Sequence, residues 1–283
     1  MYSKAEGNIS VLVDSSRPSG VLSLSIAQSE IKDLLVLLNE MQKQFPFKVV
    51  INKDDKTKSK PLSKLHFGRT YKESHCFRGY PIHGSIKQFH DTESEYILHL
   101  DSDMIFYEAP DFSWIQEGMR IMEDNDDILC VLPRGGPPTP DDTLHQGSTE
   151  YQVDKKRGVY LFKNFTSRHY LIHRKRFMDL LPIKPLWLSW HEPIKSMLFG
   201  KGKMLCWESM ISNALENSEY WRADLMTEKA WSLHPGDRSQ KFYDLLPRII
   251  KTVESGKFPE SQRGHFDLAL EDWEKFLATS YQN

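Results

Sequence analysis

Short apolar runs alternate along this chain with stretches in which apolar residues recur every three or four positions. The runs predict strands, and the stretches predict helices. Ile9 to Val13 is a short apolar run that ends in turn-forming residues, as a buried strand does. Lys48 to Ile51 and Tyr96 to Leu100 predict two further strands, and Gly84 to His90 a short helix. Apolar residues recur at helical steps between the first two strands, at Ile31, Leu34, Leu35, Leu38, Met41 and Phe45. The alternation predicts a mainly parallel α/β sheet, with ligands at the loop ends of its strands.

The later part of the chain continues the pattern but contains one long irregular stretch. The pattern predicts one helix at Trp114–Asp124 and another that begins at Arg174. It predicts strands at Ile128–Leu132, Tyr160–Phe162, His169–Ile172 and Ala230–Leu233. Lys53 to Lys64 is lysine-rich and turn-prone, so we expect a surface loop. Gly135 to Gly158 has no apolar period, which predicts a long loop. We expect this loop to be a lid or a disordered insertion and to be mobile without substrate. From Lys241 onward, helical spacing predicts a packing or assembly segment.

Composition narrows the class of protein. The 283 residues are 39% hydrophobic and 12% aromatic, enough for one large core or two joined lobes. With 37 basic and 39 acidic residues, the net charge of −2 gives no global reason to expect a nucleic-acid partner. Cys76, Cys130 and Cys206 form no C-x-x-C pair, which favours reduced thiols. The first residues contain no apolar signal region and no apolar run is long enough to span a membrane, so we expect a cytoplasmic protein, with peripheral attachment at the inner membrane face left open.

The most informative chemistry follows the strand at Tyr96–Leu100. Asp101 and Asp103 interrupt an apolar run that resumes at Met104, which places two carboxylates at a strand's carboxyl end. Asp-x-Asp at such an edge is able to hold a hard divalent cation through its oxygens. The alternative is a turn in which both side chains only bond the backbone. Core-like sequence on both sides favours the cation, because buried carboxylates need a cation or several donors.

The stretch HGSIKQFHDTESEYILHLDSDMIF resembles the nucleotide-sugar half of GT-A glycosyltransferases, especially the inverting family-two group. In that group a His-Gly or Asn-Gly opens a helix before a strand that ends in the metal-binding motif. The resemblance implies that His83, Gly84 and Asp101 bind the nucleotide sugar, and that Asp101 and Asp103 hold Mn or Mg. VLVDSS is similar to the family's strand whose final aspartate binds the nucleotide base, here Asp14.

One feature departs from the family's pattern. The aspartate-ending strand is normally the second in the family, whereas eight residues precede Ile9 here. The resemblance therefore implies either that a first strand–helix unit is missing or that the strand order differs. If that unit is missing, a second chain or relocated segments must cover the sheet edge. A homo-oligomer is one such arrangement.

Four residues in the later part of the chain have two interpretations each. The resemblance implies that Glu208, at the start of a helix, is the general base, but an acid there also interacts favourably with the helix dipole. Trp207 has a face that could stack on an acceptor sugar, or it lies in the core. His234 follows a strand, where the family often has a third metal ligand, whereas a lone histidine is usually structural. Arg168 contacts a diphosphate or is a surface residue.

Together these observations predict an α/β protein of GT-A (Rossmann-like) type with a mixed, mainly parallel sheet flanked by helices. We expect a nucleotide-sugar half at 1–133 and an acceptor half with C-terminal helices at 134–283, in one continuous domain. The expected activity is metal-dependent transfer of a sugar from a nucleoside diphosphate sugar to a hydroxyl on a glycan, a lipid-linked or a small acceptor, with inversion by analogy. Sugar-nucleotide nucleotidyl transfer, or a non-catalytic carbohydrate- or nucleotide-binding relative, is the alternative.

Overall fold

A computed structural model describes residues 9–14, 28–52, 56–145 and 150–280 of the chain. The chain divides into two units, each built from two stretches of sequence. The first unit comprises Met1–Ser94 and Phe177–Ser218, and the second comprises Glu95–Arg176 and Glu219–Asn283. The described residues form a mixed α/β protein, as expected. The predicted halves at 1–133 and 134–283 concern donor and acceptor binding, and they stay a prediction.

Most predicted elements are present among the described residues. The helices are α1 Gln28–Gln42, α2 Lys56–Phe67, α3 Ile82–His90, α4 Trp114–Asp124, α5 Arg174–Asp179, α6 Glu192–Phe199, α7 Trp207–Glu216, α8 Gln240–Glu254 and α9 Leu270–Ser280. The strands are β1 Ser10–Asp14, β2 Lys48–Asn52, β3 Tyr96–Leu100, β4 Ile105–Glu108, β5 Ile128–Leu132, β6 Arg134–Gly135, β7 Gln152–Asp154, β8 Val159–Phe162, β9 His169–His173, β10 Trp221–Leu225 and β11 Ala230–Leu233. No described helix combines the length and apolar character needed to cross a bilayer.

The sheet of the second unit is mixed rather than mainly parallel. Its six described strands lie in the order β3-β9-β5-β10-β8-β7, and of the five pairings only β5 with β10 is parallel. Strand β9 is antiparallel to both of its neighbours, so β3 and β5 still run in the same direction. An apolar run indicates a strand but not its direction, and β7 and β8 form a hairpin through Gly158, which has a positive φ.

A second layer of the same unit carries the C-terminal helices. Strand β11 pairs antiparallel with β4 and parallel with β6. Ile105, Trp231 and Leu233 from these strands form a buried core with residues of both helices and the segment before α9: Phe242, Ile249, Val253, Leu268, Leu270, Trp273 and Leu277. The C-terminal segment is therefore a packing segment, which packs against β11, the strand that precedes His234.

The lysine-rich segment of the first unit corrects one expectation. Lys53–Lys64 was expected to be a surface loop, but α2 covers Lys56–Phe67. Ser63, His66 and Phe67 are buried, and their spacing of three and four places them on one helical face, while the lysines described there are exposed. The buried stripe is narrow, short and partly polar, so the apolar pattern of the sequence does not predict this helix.

The expected loop Gly135–Gly158 is also more ordered than its composition indicates. Residues 131–139 are buried throughout, β6 begins within them, and β7 forms near the end of the stretch. Arg134 is fully buried and donates to Thr139 Oγ1 and the Thr143 carbonyl at 3.1 and 3.2 Å. Any lid must therefore lie beyond residue 139, and its mobility stays a prediction.

Candidate functional site

The two aspartates of the DSD motif lie where β3 ends and β4 begins in the second unit. The Asp101 amide donates to the Arg168 carbonyl at 2.7 Å, just before β9 starts. Asp101 Oδ1 lies 3.1 Å from Nε2 of His99, two residues earlier in the chain. The expected position at a strand's carboxyl end is therefore present for both aspartates.

His234 reaches the same place through the register of the second layer. Leu233 pairs with Ile105, so His234, one residue on, lies opposite the segment that contains Asp103. His234 Nδ1 lies 3.0 Å from Asp267 Oδ1. Because a carboxylate only accepts, Nδ1 carries the hydrogen and the lone pair of Nε2 points away from Asp267. In this tautomer Nε2 is an acceptor atom, and its lone pair is the one that meets Arg168.

Two arginines lie against these groups. Arg168 donates to His234 Nε2 at 2.5 Å, and Arg238 pairs with Asp103 Oδ2. The other oxygen of Asp103, Oδ1, is buried and has no hydrogen-bond partner within the described part of the chain. A carboxylate oxygen withdrawn from water without a donor is costly, so this atom indicates a ligand that the described residues do not supply.

The residues present fit a divalent cation only if other oxygens complete its coordination. Across the described ranges, no group of three or more His, Cys, Asp or Glu side chains is arranged to hold a metal ion. Mg²⁺, however, is commonly bound by one or two carboxylates together with substrate phosphates rather than by an all-protein cage. Asp103 Oδ1 and His234 Nε2 are ligand types that Mg²⁺ or Mn²⁺ accepts, but Nε2 binds a cation only when the Arg168 guanidinium moves away from it. The roles of Asp101, Asp103 and His234 as metal ligands stay predictions.

Of the four residues expected to bind the nucleotide sugar, Asp14, His83 and Gly84 lie in the first unit and Asp101 lies in the second. Strand β1, parallel to β2, ends at Asp14, whose side chain lies outside the described residues. His83 and Gly84 are buried in the first turn of α3, whose N-cap position is Pro81 with no side-chain cap. The first amides of a helix suit an anion, which is compatible with the implied role. None of these binding roles is tested by the fold.

Trp207 and Glu208 open α7 in the first unit, as expected. The indole of Trp207 is buried and donates to His66 Nε2 at 3.1 Å, next to Phe89 and Phe177. This is the core placement that the sequence left open, and it leaves little of the ring for an acceptor sugar. Glu208 is half-buried in the first helical turn. That position is compatible both with a general base and with an acid that only interacts with the helix dipole.

Sequence reasoning missed several partners because they are remote along the chain. Arg238 and Asp267 are 135 and 33 residues from the side chains they contact. In the first unit, Cys76 and Cys206 lie far apart in sequence, yet their sulfurs are 3.6 Å apart. The Cys206 thiol donates to Cys76 and, with nearby backbone amides, lowers the pKa of Cys76 to about 6 despite its burial. Both thiols are free in the structure, and the reduced state in the cell stays a prediction.

No protein-family model, curated protein or solved structure matches this chain. The resemblance to GT-A enzymes therefore depends on the motifs in the sequence and on the chemistry that surrounds them.

Proposed function

We propose that this protein is a metal-dependent glycosyltransferase of GT-A type. It moves a sugar from a nucleoside diphosphate sugar to a hydroxyl acceptor, with inversion at the anomeric carbon. The observation that carries the proposal is Asp103, which directly follows the β3 region and has one buried oxygen without a protein partner among the described residues. His234, Arg168 and Arg238 around it supply an imidazole and two permanent positive charges.

The charges around Asp103 suit a diphosphate. Arginine binds phosphate oxygens through its planar fork, so Arg168 and Arg238 are suited to the diphosphate of the donor. A divalent cation bound there would stabilise the negative charge that develops on the leaving phosphate. Asp267 holds the His234 ring so that Nε2 accepts. Glu208 takes the proton of the acceptor hydroxyl in this proposal, and Asp101 supports the ribose or the cation.

Calorimetry with a panel of UDP-, GDP- and dTDP-sugars tests the donor site. We expect one donor to bind in Mn²⁺ and to bind much more weakly after chelation. Asp103→Asn should abolish the metal-dependent part and leave the fold intact, because it removes ligand charge at a preformed edge. The matched control is Asp111→Asn, an exposed carboxylate of the same unit that pairs with Lys229. Mn²⁺-dependent affinity that survives in Asp103→Asn contradicts the metal assignment.

Turnover of the donor identified in this way tests Glu208. If Glu208 is the base, Glu208→Gln should leave donor affinity unchanged and lower turnover by about 10²-fold or more, because the amide cannot accept the hydroxyl proton. If Glu208 only interacts with the helix dipole, the same change costs at most about 1 kcal/mol of stability and turnover stays near wild type. Donor affinity, melting temperature and turnover measured on one preparation separate the two roles. Glu216→Gln, at the far end of α7, is the control.

A further inference from the structure

Helix α6 of the first unit faces its apolar side outward. Trp190, just before the helix, is 83% exposed, and Met197 and Phe199 are 75% and 66% exposed. Ile194 and Leu198 are exposed as well, and positions 194, 197 and 198 share one helical face. Soluble helices normally bury that face, so an exposed cluster of this size indicates an interaction surface. We call these five residues the α6 face.

Polar contacts fix the helix in this orientation. The buried side carries Glu192 and Ser196, one helical turn apart. Ser196 Oγ donates to the buried Glu73 carboxylate at 2.8 Å, and the Gly202 amide donates to its other oxygen at 2.8 Å. The Lys203 amide donates to Glu192 at 2.9 Å. Rotating the helix to bury its apolar face would break these charge-assisted hydrogen bonds. The hydrogen bonds therefore stabilise the orientation in which the apolar face points outward.

Close packing at the end of the helix adds to this restraint. A Cβ at Gly202 would lie 2.5 Å from the Trp187 ring and 2.7 Å from the Glu192 carbonyl. Gly200 has a positive φ and caps the helix by donating to the Ser196 carbonyl at 2.7 Å. Both glycines hold the segment against the body of the unit, which leaves the α6 face little freedom to fold inward.

The exposed charges in the stretch of chain around the α6 face are all basic. Between residues 180 and 206 the chain carries one acid, Glu192, which is buried. Four lysines lie in the same stretch, all of them exposed: Lys184, Lys195, Lys201 and Lys203. Of these, Lys195 pairs with Glu192 Oε1 at 3.1 Å. Lys72, also exposed, lies against Gly200. An exposed tryptophan and phenylalanine with a rim of lysines is the pattern of a segment that rests in the interface of an anionic membrane.

We propose that the α6 face docks this protein on an anionic lipid surface. Trp190, Met197 and Phe199 enter the headgroup region, and the lysine rim contacts the lipid phosphates. The contrast with α1 favours lipid over a general apolar contact. The exposed Leu34 and Leu37 of α1 have exposed charges of both signs nearby, Asp33 and the Glu40–Lys43 pair, so an anionic surface attracts α1 less. This proposal does not depend on the proposed glycosyl transfer.

Flotation with vesicles tests the docking surface directly. The full chain should float with phosphatidylcholine vesicles that contain about 30% phosphatidylglycerol, and much less with phosphatidylcholine alone. Met197→Gln with Phe199→Gln should weaken binding about tenfold or more, because two apolar side chains no longer enter the interface. Lys201→Glu should weaken it about fivefold or more, and salt at about 0.5 M should act in the same direction.

A matched control and the melting temperature keep the test decisive. Leu37→Gln removes a comparably exposed apolar side chain from α1 and should leave flotation unchanged, while all variants should melt as wild type does. Equal binding to neutral vesicles, or loss of binding in Leu37→Gln alone, overturns the proposal. So does an absence of flotation, including the case in which sedimentation velocity shows a dimer that the Met197→Gln and Phe199→Gln changes dissociate. That result assigns the α6 face to a second copy.

Discussion

At the scale of the residue, the candidate site combines groups that can be predicted from the sequence with groups that cannot. Asp101 and Asp103 were predictable because acids that interrupt an apolar run stand out, and because a strand's end is where ligands bind. Arg238 was not predictable, since it reaches Asp103 from 135 residues away after a Pro-Gly turn. Asp267 was missed for the same reason, since its contact with His234 follows from the packing of the C-terminal segment on β11.

The pairing of Arg238 with Asp103 predicts opposite effects on metal and donor. A cation that binds Asp103 competes with the Arg238 guanidinium, so Arg238→Ala should raise the affinity for Mn²⁺ alone. The gain should be at most about fivefold, because an ion pair whose arginine is mostly exposed is worth about 1 kcal/mol or less. Donor affinity should fall, because a positive charge is lost from the diphosphate site.

Calorimetry with Mn²⁺ alone and then with the donor measures both effects. Arg157→Ala is the control, since Arg157 belongs to the same unit but pairs with Asp127 and Asp154. If metal and donor affinities move in the same direction in Arg238→Ala, the competition is wrong.

At the scale of the element, the sequence predicted well where one buried face has a clear period. Helix α4 and strand β5 have the predicted bounds, because Ser113 caps the helix and β5 is buried at every position. Helix α2 was missed, because its lysines and Pro61 outweigh a short buried stripe. The buried stretch at 135–139 was missed because Pro and Gly are typical of loops. Here Gly136 lies against His265, and the Pro137 carbonyl accepts from the Gly264 amide of the C-terminal segment.

Gly136 makes that packing testable. Its φ is +86°, and a Cβ there would lie 2.3 Å from the His265 carbonyl oxygen, which is backbone and cannot move aside alone. We therefore expect Gly136→Ala to destabilise the second unit by about 3 kcal/mol or more, since the strain of the positive φ and a steric clash add.

Gly158→Ala separates the two causes. Gly158 has a φ of +69°, but nothing lies within 4 Å of the position that an added Cβ would take. Only the backbone strain of about 1 kcal/mol should therefore appear. Denaturant unfolding of both variants measures the difference. Equal destabilisation of the two would show that the contact between Gly136 and His265 contributes nothing.

At the scale of the whole molecule, the sequence predicted the class of fold better than its topology. Alternating strands and helices indicated a mixed α/β protein, which is confirmed. The direction of β9 was not predictable, since a central strand is apolar on both faces whichever way it runs. The units also combine segments from both halves of the chain, a consequence of long-range packing that local periodicity does not encode.

Each unit buries a neutral histidine, and this predicts how the stability of the molecule depends on pH. Burial is the main cause that lowers the pKa of His66 in the first unit and of His169 in the second, in both cases to about 3. The geometry agrees for His66, since its Nε2 accepts from the Trp207 indole and therefore carries no proton. Unfolding exposes both rings to water, where the ordinary pKa is 6.5.

The sign of the effect follows from proton binding. Below pH 6.5 the unfolded chain binds protons that the folded chain excludes, so the free energy of unfolding falls as the pH falls from 6.5 toward 3. Above pH 6.5 both states keep the two rings neutral, and the contribution of the rings to stability is complete. Between about pH 7.5 and 5.5, where carboxylates titrate little, each histidine should cost about 1 kcal/mol. His169→Gln and His66→Gln should each remove the share of this slope that belongs to the replaced histidine, about half of it. His145→Gln, which replaces an exposed histidine of the second unit, should keep the wild-type slope. Denaturant unfolding at a series of pH values measures all four proteins, and a slope unchanged in His169→Gln would show that its ring is not held neutral by burial.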